Sequence, residues 1–361
     1  MLVLVVFRFG SSLKLYHQQR EVIDWYIWIE YTGERQSSIT RSANGRTMQA
    51  AILYNPMAGR FPSLPLVERA ADIFRQQDWG IRLLRTEREE QLLEYSRQAV
   101  EQGLEAVLIA GGDGSLNKAA SALQGSSTAL GVLPAGTANV WAQEIGLPTL
   151  SWTNWTALER SARLMASAQV KTVDIGEVNG RPFLLWAGVG LDAFVVHHLE
   201  PRTRWEKQFA ELQYAANAAL VATRWEGMQL EAWADEKYIQ GKYVLALATN
   251  VALYAGGLAR ISPGAKMDDG QMDFWLFSGD TLAETLQHIW RLVSGKHLDS
   301  KQVKGLGCEK VRIKSGSDLF LQVDGEPVKS QQEISIAIRP QALQVLIPEG
   351  KASHLFCEDQ P

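Results

Sequence analysis

Three glycines in four positions follow an apolar run directly, in the segment Gly111-Gly112-Asp113-Gly114-Ser115-Leu116-Asn117, and a helical pattern comes after them. Glycine lets the backbone turn sharply and approach a ligand closely, and free backbone N–H groups at the start of a helix bind phosphate. The Asp113 carboxylate would repel a phosphate, but it suits the organisation of magnesium or of the loop itself. The glycines alone are as typical of an ordinary strand–helix turn as of a phosphate-binding loop.

Two further loops have the same place between a strand pattern and a helix pattern. In residues 133–139, Thr137 and Asn139 could hydrogen-bond a phosphate, although Thr or Asn at a helix start usually acts as a cap. In residues 55–60, Arg60 could bind a phosphate through both arms of its guanidinium or simply be solvated. Open α/β sheets bind ligands beside the carboxyl ends of their strands. The convergence of all three loops there predicts a phosphate or nucleotide site.

From Met48 onwards, short apolar runs alternate with segments whose apolar residues recur at helical spacing. A continuous apolar run such as residues 106–110 is typical of a strand buried on both faces of a parallel sheet. The pattern predicts an α/β domain over residues 48–172, built as an open parallel sheet with flanking helices. Its predicted strands are residues 51–54, 81–84, 106–110 and 130–133, and its predicted helices are residues 64–77, 87–102, 116–123 and 140–145.

After about residue 172, short strand-like runs dominate, separated by turn signals such as Asn179-Gly180 and Asp324-Gly325. These runs predict a mostly β sandwich domain over residues 173–339. Two predicted helices interrupt it, at residues 203–223 and 281–294. We expect residues 340–350 to pack back on the first domain.

Residues 1–47 show no sustained period and are rich in Ser, Arg, Gln and bulky aromatic side chains. A clean strand pattern begins at Met48. We therefore expect residues 1–47 to be a dispensable or wrongly assigned extension and Met48 to be the natural start. N-terminal sequencing of the native protein tests this expectation, and an intact Met1 terminus would contradict it.

The composition is that of an ordinary globular protein: 361 residues, 46% hydrophobic and 21% charged, with a net charge of −4. That balance gives no general attraction to nucleic acid, so we expect no nucleic-acid partner, and any membrane contact must be local. Two cysteines, Cys308 and Cys357, are too few for a disulfide framework and favour a reducing, cytoplasmic location. The histidines have no zinc-ligand spacing with them, and no apolar run approaches the roughly 20 residues that span a bilayer.

The order of these motifs resembles the family of diacylglycerol kinases, sphingosine kinases and bacterial lipid kinases, over about residues 49 to 349. Beyond the three loops, the resemblance rests on five later segments. These are Gly188-Val189-Gly190-Leu191-Asp192-Ala193, Ala255-Gly256-Gly257, Ser262-Pro263-Gly264-Ala265-Lys266, Met267-Asp268-Asp269-Gly270-Gln271-Met272-Asp273 and Asp324-Gly325-Glu326. Such an ordered series is far more specific than one glycine-rich loop, although the last segment alone would indicate a plain hairpin turn.

The resemblance implies an enzyme that transfers a phosphoryl group from ATP to the hydroxyl of diacylglycerol or a related lipid alcohol. Glu326 would act as general base on that hydroxyl, and Asp113 would be the second catalytic residue. The implied nucleotide site consists of Asn55, Gly59, Arg60, Thr86, Gly111, Gly112, Asp113, Gly114, Ser115, Asn117 and Thr137.

The resemblance also implies Mg²⁺ as a cofactor. A structural magnesium would be held by the Asp269 side chain and the backbone carbonyls of Lys266 and Gln271, oxygen ligands that suit a hard cation. Asp113 and Asp174 would belong to a second magnesium network.

One position departs from the family pattern. The family commonly has Asp directly after its Gly-Thr-x-Asn run, and this chain has Val140. That Asp would join Asp113 and Asp174 at magnesium, so its replacement could weaken metal binding or abolish turnover. A catalytically silent lipid- or nucleotide-binding protein is therefore the second interpretation. An NAD kinase, whose family shares the Gly-Gly-Asp-Gly loop, is the third, and residues 55–60 and 324–326 argue against it.

A lipid kinase takes its substrate from a membrane surface, so ATP and a lipid at that surface are the implied partners, with peripheral membrane contact. The predicted helix at residues 203–223 carries an apolar stripe near basic residues and is one candidate for this contact. Trp152, Trp155, Trp205 and Trp225 are candidate interfacial anchors, although core packing is the commoner role of such side chains. A homodimer is a possible assembly on which the sequence is silent.

Overall fold

The computed structural model of the protein describes residues 47–56, 64–150, 154–199 and 224–357, all within one compact unit, Thr47–Pro361. Several predictions lie outside the described residues: those on residues 1–46, on the helix at 203–223, and on Gly59, Arg60, Trp152 and Trp205. Within the part of the chain that is described, no helix is long and apolar enough to cross a membrane.

Four parallel strands form the sheet of the first domain. They are β1 (Met48–Tyr54), β2 (Trp79–Arg85), β3 (Ala106–Gly111) and β4 (Ala129–Pro134), in the spatial order β2-β1-β3-β4. The register aligns Tyr54 with both Arg85 and Ala110, and Gly111 with Pro134. The carboxyl ends of all four strands therefore lie at one edge, where the predicted loops emerge. Every residue of β3 and β4 is buried, as the unbroken apolar runs indicated.

Five helices of the described residues connect or follow these strands. They are α1 (Leu64–Arg75), α2 (Glu89–Glu101), α3 (Asp113–Leu123), α4 (Val140–Glu144) and α5 (Ala157–Ala166). In α1, Val67, Ala70, Ala71 and Phe74 are buried on one stripe, and the helix packs against α5. Helix α3 begins inside the predicted glycine loop, with Gly112 as its N-cap.

The second half of the chain is mostly β, as predicted. Its strands are β5 (Gln169–Val178), β6 (Arg181–Phe183), β7 (Trp186–Gly190), β8 (Met228–Ala234), β9 (Lys237–Thr249), β10 (Leu253–Tyr254), β11 (Ala259–Arg260), β12 (Met272–Ser278), β13 (Val303–Cys308), β14 (Lys310–Val323) and β15 (Glu326–Ile347). They enclose a second hydrophobic core, to which Phe183, Phe274, Leu276, Leu321 and Ile336 belong. Two helices of the described residues accompany them, α6 (Leu191–Leu199) and α7 (Leu282–Val293).

Strand β15 joins the two halves into one continuous sheet. Its first part pairs antiparallel with β14, its later part pairs antiparallel with β5, and Val345 pairs parallel with Leu130 of β4. Leu343, Val345 and Ile347 are buried in the same core as the strands of the first domain. Residues expected to pack back on the first domain thus extend its sheet.

Helix α7 confirms the prediction of a helix over residues 281–294. Thr281 is its N-cap, accepting a hydrogen bond from the Glu284 backbone N–H at 3.3 Å, while Glu284 Oε2 accepts from the Thr281 N–H at 3.2 Å. This reciprocal capping box satisfies two N–H groups that a helix start leaves without partners. The helix start was therefore readable from local sequence.

Candidate active site

The glycine loop and the loop after β4 touch through their backbones. A Cβ atom added to Gly136 would lie 2.4 Å from the Gly112 Cα and 2.8 Å from the Asn139 Oδ1. No side chain larger than hydrogen fits there without moving one loop. Asn139 closes the second loop on itself, since its Oδ1 accepts from the Gly136 N–H and its Nδ2 donates to the Gly136 carbonyl, both at 2.9 Å. The two phosphate-binding candidates form one surface.

Asp113 ties these two loops together. Its Oδ2 accepts from the Val140 N–H at 2.9 Å and its Oδ1 accepts from the Trp141 N–H at 3.1 Å. Asn139 just before them has a left-handed backbone, with φ of 53°. Burial raises the pKa of Asp113 and these backbone N–H groups oppose the rise. The carboxylate thus caps the first turn of α4, a structural role in addition to the catalytic one predicted for it.

Glu326 lies over the glycine loop. It follows a two-residue hairpin turn, Asp324-Gly325, whose positive φ values of 48° and 82° are typical of a type I′ turn. A Cβ atom on Gly114 would lie 3.2 Å from the Glu326 Oε1. Two cations flank the carboxylate: Arg181 Nη2 lies 2.5 Å from Oε2, and Lys118 Nζ lies 3.7 Å from Oε1. The predicted general base therefore reaches the predicted phosphate loop from the other domain.

Asp324, before Glu326, is buried and anchors the hairpin. Its carboxylate accepts three backbone N–H groups, from Leu184 at 2.9 Å, Leu185 at 3.0 Å and Trp186 at 2.9 Å. Burial, together with a smaller contribution from the charge of Asp113, raises its pKa to about 7 despite these donors. The hairpin and the glycine loop are thus coupled electrostatically. A plain turn needs no such anchor, so Asp324 holds Glu326 in position.

Asn117 presents an acceptor without a partner at the same junction. The residue is buried in α3, and its Nδ2 donates to the Pro182 carbonyl of β6 at 3.3 Å. Its Oδ1 has no hydrogen-bond partner among the described residues. A buried oxygen in this state costs free energy unless a ligand or water donates to it. The Asn117 Oδ1 is therefore suited to accept from a hydrogen-bond donor of a ligand, and the place of Asn117 in the nucleotide site stays a prediction.

The remaining predicted nucleotide residues line the same sheet edge. Asn55 follows β1, and Thr86, which is buried, follows β2 and donates to the Tyr54 carbonyl through its N–H at 2.8 Å and its Oγ1 at 3.2 Å. Ser115 is half-buried in the first turn of α3, and Thr137 is exposed. Thr86 fixes the ends of β1 and β2 to each other, which shapes the edge of the site.

The predicted magnesium loop lies on a different part of the chain. Asp174 in β5 accepts from the Gly270 N–H through Oδ2 and from the Gln341 N–H through Oδ1, both at 2.7 Å. Asp269 Oδ1 accepts from the Gln271 N–H at 3.0 Å. The structure thus brings Asp174 to the Asp269 loop, whereas the Asp113 carboxylate binds the start of α4.

The donor chemistry of this loop fits a hard cation. Burial raises the pKa of Asp174, and the charges of Asp269 and Asp268 raise it further, which indicates negative charge in need of neutralisation. The nearby Lys266 ammonium donates instead to the carbonyls of His354 at 2.9 Å and Phe356 at 2.8 Å. The described residues contain no group of three or more Asp, Glu, His or Cys side chains arranged for a metal. A ligand set of one carboxylate and two carbonyls therefore remains a prediction.

With this geometry in place, comparison with known families is decisive. The model of the diacylglycerol kinase catalytic domain matches residues 49–178, and that of the YegS C-terminal NAD kinase beta sandwich-like domain matches residues 186–347. Together they cover well over half of the chain. The chain belongs to the diacylglycerol kinase family of lipid kinases. The predicted resemblance and the two-domain layout are confirmed, and the likeness to NAD kinase concerns the fold of the second domain.

Relatives of this family share modest identity with the chain over most of its length. It is 23% identical over 280 residues to a diacylglycerol kinase of Bacillus subtilis, covering 77% of this chain and 89% of the relative. It is 29% identical over 258 residues to a diacylglycerol kinase of Mycobacterium tuberculosis, covering 69% and 79%. A diacylglycerol kinase crystal structure from Bacillus anthracis has a TM-score of 0.63 at 16% identity, covering 84% of this chain and 98% of that one. The structural likeness shows a shared fold.

Two residues of the site were not predicted from the sequence. Lys118 lies one helical turn after Gly114, so its spacing within α3 was a usable signal for a cation near the loop. Arg181 had no such signal, because it follows an ordinary Asn179-Gly180 turn and reaches Glu326 only through the pairing of β5, β6 and β15. Arg181 hydrogen-bonds the carboxylate predicted to act as base, whereas the Lys118 ammonium donates to Glu89 and adds its charge nearby.

The glycine-rich turn predicted from the resemblance in the second domain encloses a buried carboxylate. A Cβ atom on Gly188 would lie 2.0 Å from the Asp192 Oδ2, so only glycine leaves room for that carboxylate. The same oxygen accepts from Gln322 Nε2 at 2.8 Å and the Tyr254 hydroxyl at 3.1 Å. Burial raises the pKa of Asp192 to about 6.

The free energy of unfolding should fall as the pH rises toward neutrality, because Asp324 and Asp192 then lose their protons. The pKa values of Asp324, about 7, and Asp192, about 6, exceed their ordinary value of 3.8, so the folded state binds these protons more tightly than the unfolded state. Their contribution to the free energy of unfolding is therefore full below about pH 4 and lost as the pH rises through about 6 to 7. Asp324→Asn is neutral throughout, so thermal unfolding of this variant should depend less on pH across that window. Identical pH dependence in wild type and variant would contradict the prediction.

Proposed function

We propose that the protein is an ATP- and Mg²⁺-dependent lipid kinase that phosphorylates the hydroxyl of diacylglycerol or a related lipid alcohol. The observation that carries this proposal is the Glu326 carboxylate over the glycine loop, contributed by the opposite domain. In a phosphotransferase, a base must meet the acceptor hydroxyl beside the site that holds the donor phosphates. The family supports kinase activity, and the acceptor and the roles of individual residues are our inference.

In the proposed reaction, ATP binds along the sheet edge with its phosphates at the glycine loop. Backbone N–H groups at the start of α3 and the Thr137 side chain orient the phosphates. Glu326 accepts the proton of the lipid hydroxyl while the hydroxyl oxygen bonds to the γ-phosphorus. The bond between that phosphorus and the ADP oxygen breaks. Magnesium, when bound, neutralises charge on the phosphates. Arg181 holds the Glu326 carboxylate toward the acceptor through its hydrogen bond, and the Lys118 charge lies nearby.

Transfer from radiolabelled ATP to a panel of lipid alcohols in mixed micelles tests this function, with NAD as a competing acceptor. We expect label in phosphatidic acid or an equivalent lipid phosphate, only with a divalent metal present. Label in NADP instead would overturn the proposal in favour of an NAD kinase.

A silent lipid- or nucleotide-binding protein is the second candidate, and one observation favours it. Position 140 carries a valine that is 2% exposed, and both oxygens of Asp113 already accept backbone N–H groups. A magnesium network at this place has one carboxylate fewer than the family pattern. ATP binding without transfer to any lipid, at every divalent metal tried, would support this candidate.

Restoring the carboxylate at position 140 should reveal whether magnesium binds there. Because residue 140 is buried and its N–H is bonded to Asp113, Val140→Asp would place two carboxylates together and lower the melting temperature in EDTA. We expect magnesium to restore much of that loss, and transfer to equal or exceed that of the wild type.

Val140→Asn is the matched control, because it is polar but uncharged and should lack the magnesium-dependent part of the change. A large loss of transfer by Val140→Asp at saturating magnesium would show that this protein builds its metal site in another way.

A further inference from the structure

Helix α7 exposes an apolar stripe to solvent. Five of its side chains and one in the turn that follows are between 38 and 62% exposed. They are Leu282, Leu286, Ile289, Trp290, Val293 and Leu298. Eleven large hydrophobic side chains are exposed in the described residues, and these six lie within one short segment. We call them the α7 face. Exposed apolar groups concentrated in this way mark a contact surface rather than scattered surface leucines.

The fold holds this face outward. The buried side of α7 consists of Thr285, His288 and Leu292, which recur at helical spacing. His288 Nε2 is 2.8 Å from the Ser278 carbonyl oxygen, and its ring packs edge-on against Phe277 with centroids 5.4 Å apart. Together with the capping box at Thr281, these contacts fix the rotation of the helix. Because Thr285, His288 and Leu292 form the side of α7 that packs on the protein, the more apolar side chains of the helix face solvent.

A basic segment adjoins the α7 face. Residues 291–304 contain four cations and one anion, Asp299, although the whole chain has a net charge of −4. Lys296 links the two features directly, since its Nζ lies 5.5 Å above the Trp290 ring. Lys301 and Lys304 are exposed. A tryptophan and aliphatic side chains beside lysines match the boundary between the acyl chains and head groups of an anionic bilayer.

We propose that the α7 face, with the basic segment after it, docks the protein on an anionic phospholipid surface. The aliphatic side chains and Trp290 enter the boundary between head groups and acyl chains, while the lysines contact lipid phosphates. Docking requires no phosphoryl transfer, so it stands whether or not the protein is a kinase. If it is one, docking brings the enzyme to the surface that contains its acceptor. The α7 face does not include residues 203–223 or Trp225, which the sequence indicated as candidates for membrane contact. The Trp225 Nε1 donates to the Val244 carbonyl at 3.0 Å.

Vesicle co-sedimentation of the full chain tests the proposal. The wild type is compared on vesicles of phosphatidylcholine alone and of phosphatidylcholine with phosphatidylglycerol, and we expect binding to the anionic vesicles that weakens with salt. The double variant Leu286→Gln, Ile289→Gln should bind at least about tenfold more weakly, because it removes two side chains from the apolar contact. The matched control is Val170→Gln with Tyr238→Gln, two large exposed side chains outside the face, and it should bind like the wild type.

Charge is tested separately with Lys296→Gln, Lys301→Gln, which should reduce binding to anionic vesicles and leave the weak binding to neutral ones unchanged. Equal binding by wild type and Leu286→Gln, Ile289→Gln, with unchanged melting temperature, would overturn the proposal. Light scattering supplies another contradicting outcome: a wild-type dimer that this variant converts to a monomer, without vesicle binding, would make the face a contact between two copies.

Kinase assays keep this proposal apart from the proposed function. On short-chain diacylglycerol dissolved as monomers, Leu286→Gln, Ile289→Gln should retain wild-type turnover, and on vesicles it should lose activity in proportion to its binding. A wild type that binds vesicles through the α7 face but phosphorylates no lipid would uphold docking and refute the kinase activity.

Discussion

Glu326→Gln should lower transfer from ATP to a lipid alcohol by at least about a hundredfold, because it removes the proposed general base while keeping the shape of the side chain. The amide can still accept a hydrogen bond from Arg181, so the hairpin should stay in place. Glu326 is 38% exposed, and ion pairs of that exposure contribute about 0–1 kcal/mol to the free energy of unfolding. Melting temperature and ATP affinity should therefore be close to those of the wild type. Turnover and ATP binding, measured on the same preparation, check this.

Glu177→Gln is a matched control for that change. Glu177 Oε2 lies 2.5 Å from Arg339 Nε, the same separation as in the Glu326–Arg181 pair, and it also lies on a strand of the second domain. Its replacement removes a comparable ion pair away from the glycine loop, so transfer should be unchanged. Near-normal turnover by Glu326→Gln would mean that another group accepts the hydroxyl proton.

Asp113→Ala should abolish transfer and also lower the melting temperature. The notable point is the second effect, since the structure shows Asp113 accepting the N–H groups of Val140 and Trp141. Without the carboxylate, these two donors lose their partners, and each such loss in a partly buried place costs about 1–3 kcal/mol. The loop that carries Thr137 would then separate from the glycine loop, so ATP affinity should fall together with turnover. Thermal unfolding, nucleotide binding and transfer together measure this.

Asp235→Ala is the control that distinguishes the loss of a carboxylate that accepts backbone N–H groups from the loss of a catalytic carboxylate. Asp235 also accepts two backbone N–H groups, from Glu309 at 3.2 Å and Lys310 at 2.9 Å, in an exposed turn of the second domain. We expect this variant to lose some stability and keep wild-type transfer. If Asp113→Ala lost stability yet transferred phosphate normally, Asp113 would be a structural residue only.

Local sequence carried enough information for most elements of the described residues. Helix α7 shows why: its capping box and the spacing of its side chains are encoded within a dozen residues, and its predicted bounds agree with the structure to within one residue at each end. The buried strands β3 and β4 were equally legible, since a continuous apolar run is stable only where a sheet is covered. The glycine motifs were legible because close backbone approach excludes side chains.

Other features depended on contacts between residues far apart in the chain. Arg181 meets Glu326 only after β6 pairs with β5 and β5 pairs with β15, so nothing near Arg181 in sequence predicts its place. The hydrogen bonds of Asp113 were equally hidden from the sequence. Its carboxylate was expected to bind magnesium, and in the structure it accepts backbone N–H groups of the neighbouring loop.

The sequence by itself determined the family and the two-domain layout, and it predicted the motif residues from which the candidate site was built. Those properties are encoded by residue type and spacing, which act over a few turns of chain. Only the tertiary structure decided that Arg181 and Lys118 flank Glu326, that Asp113 caps α4, and that α7 turns its apolar face to solvent. Each of these depends on which surface an element buries, and that choice is made by packing among distant segments rather than by local propensity.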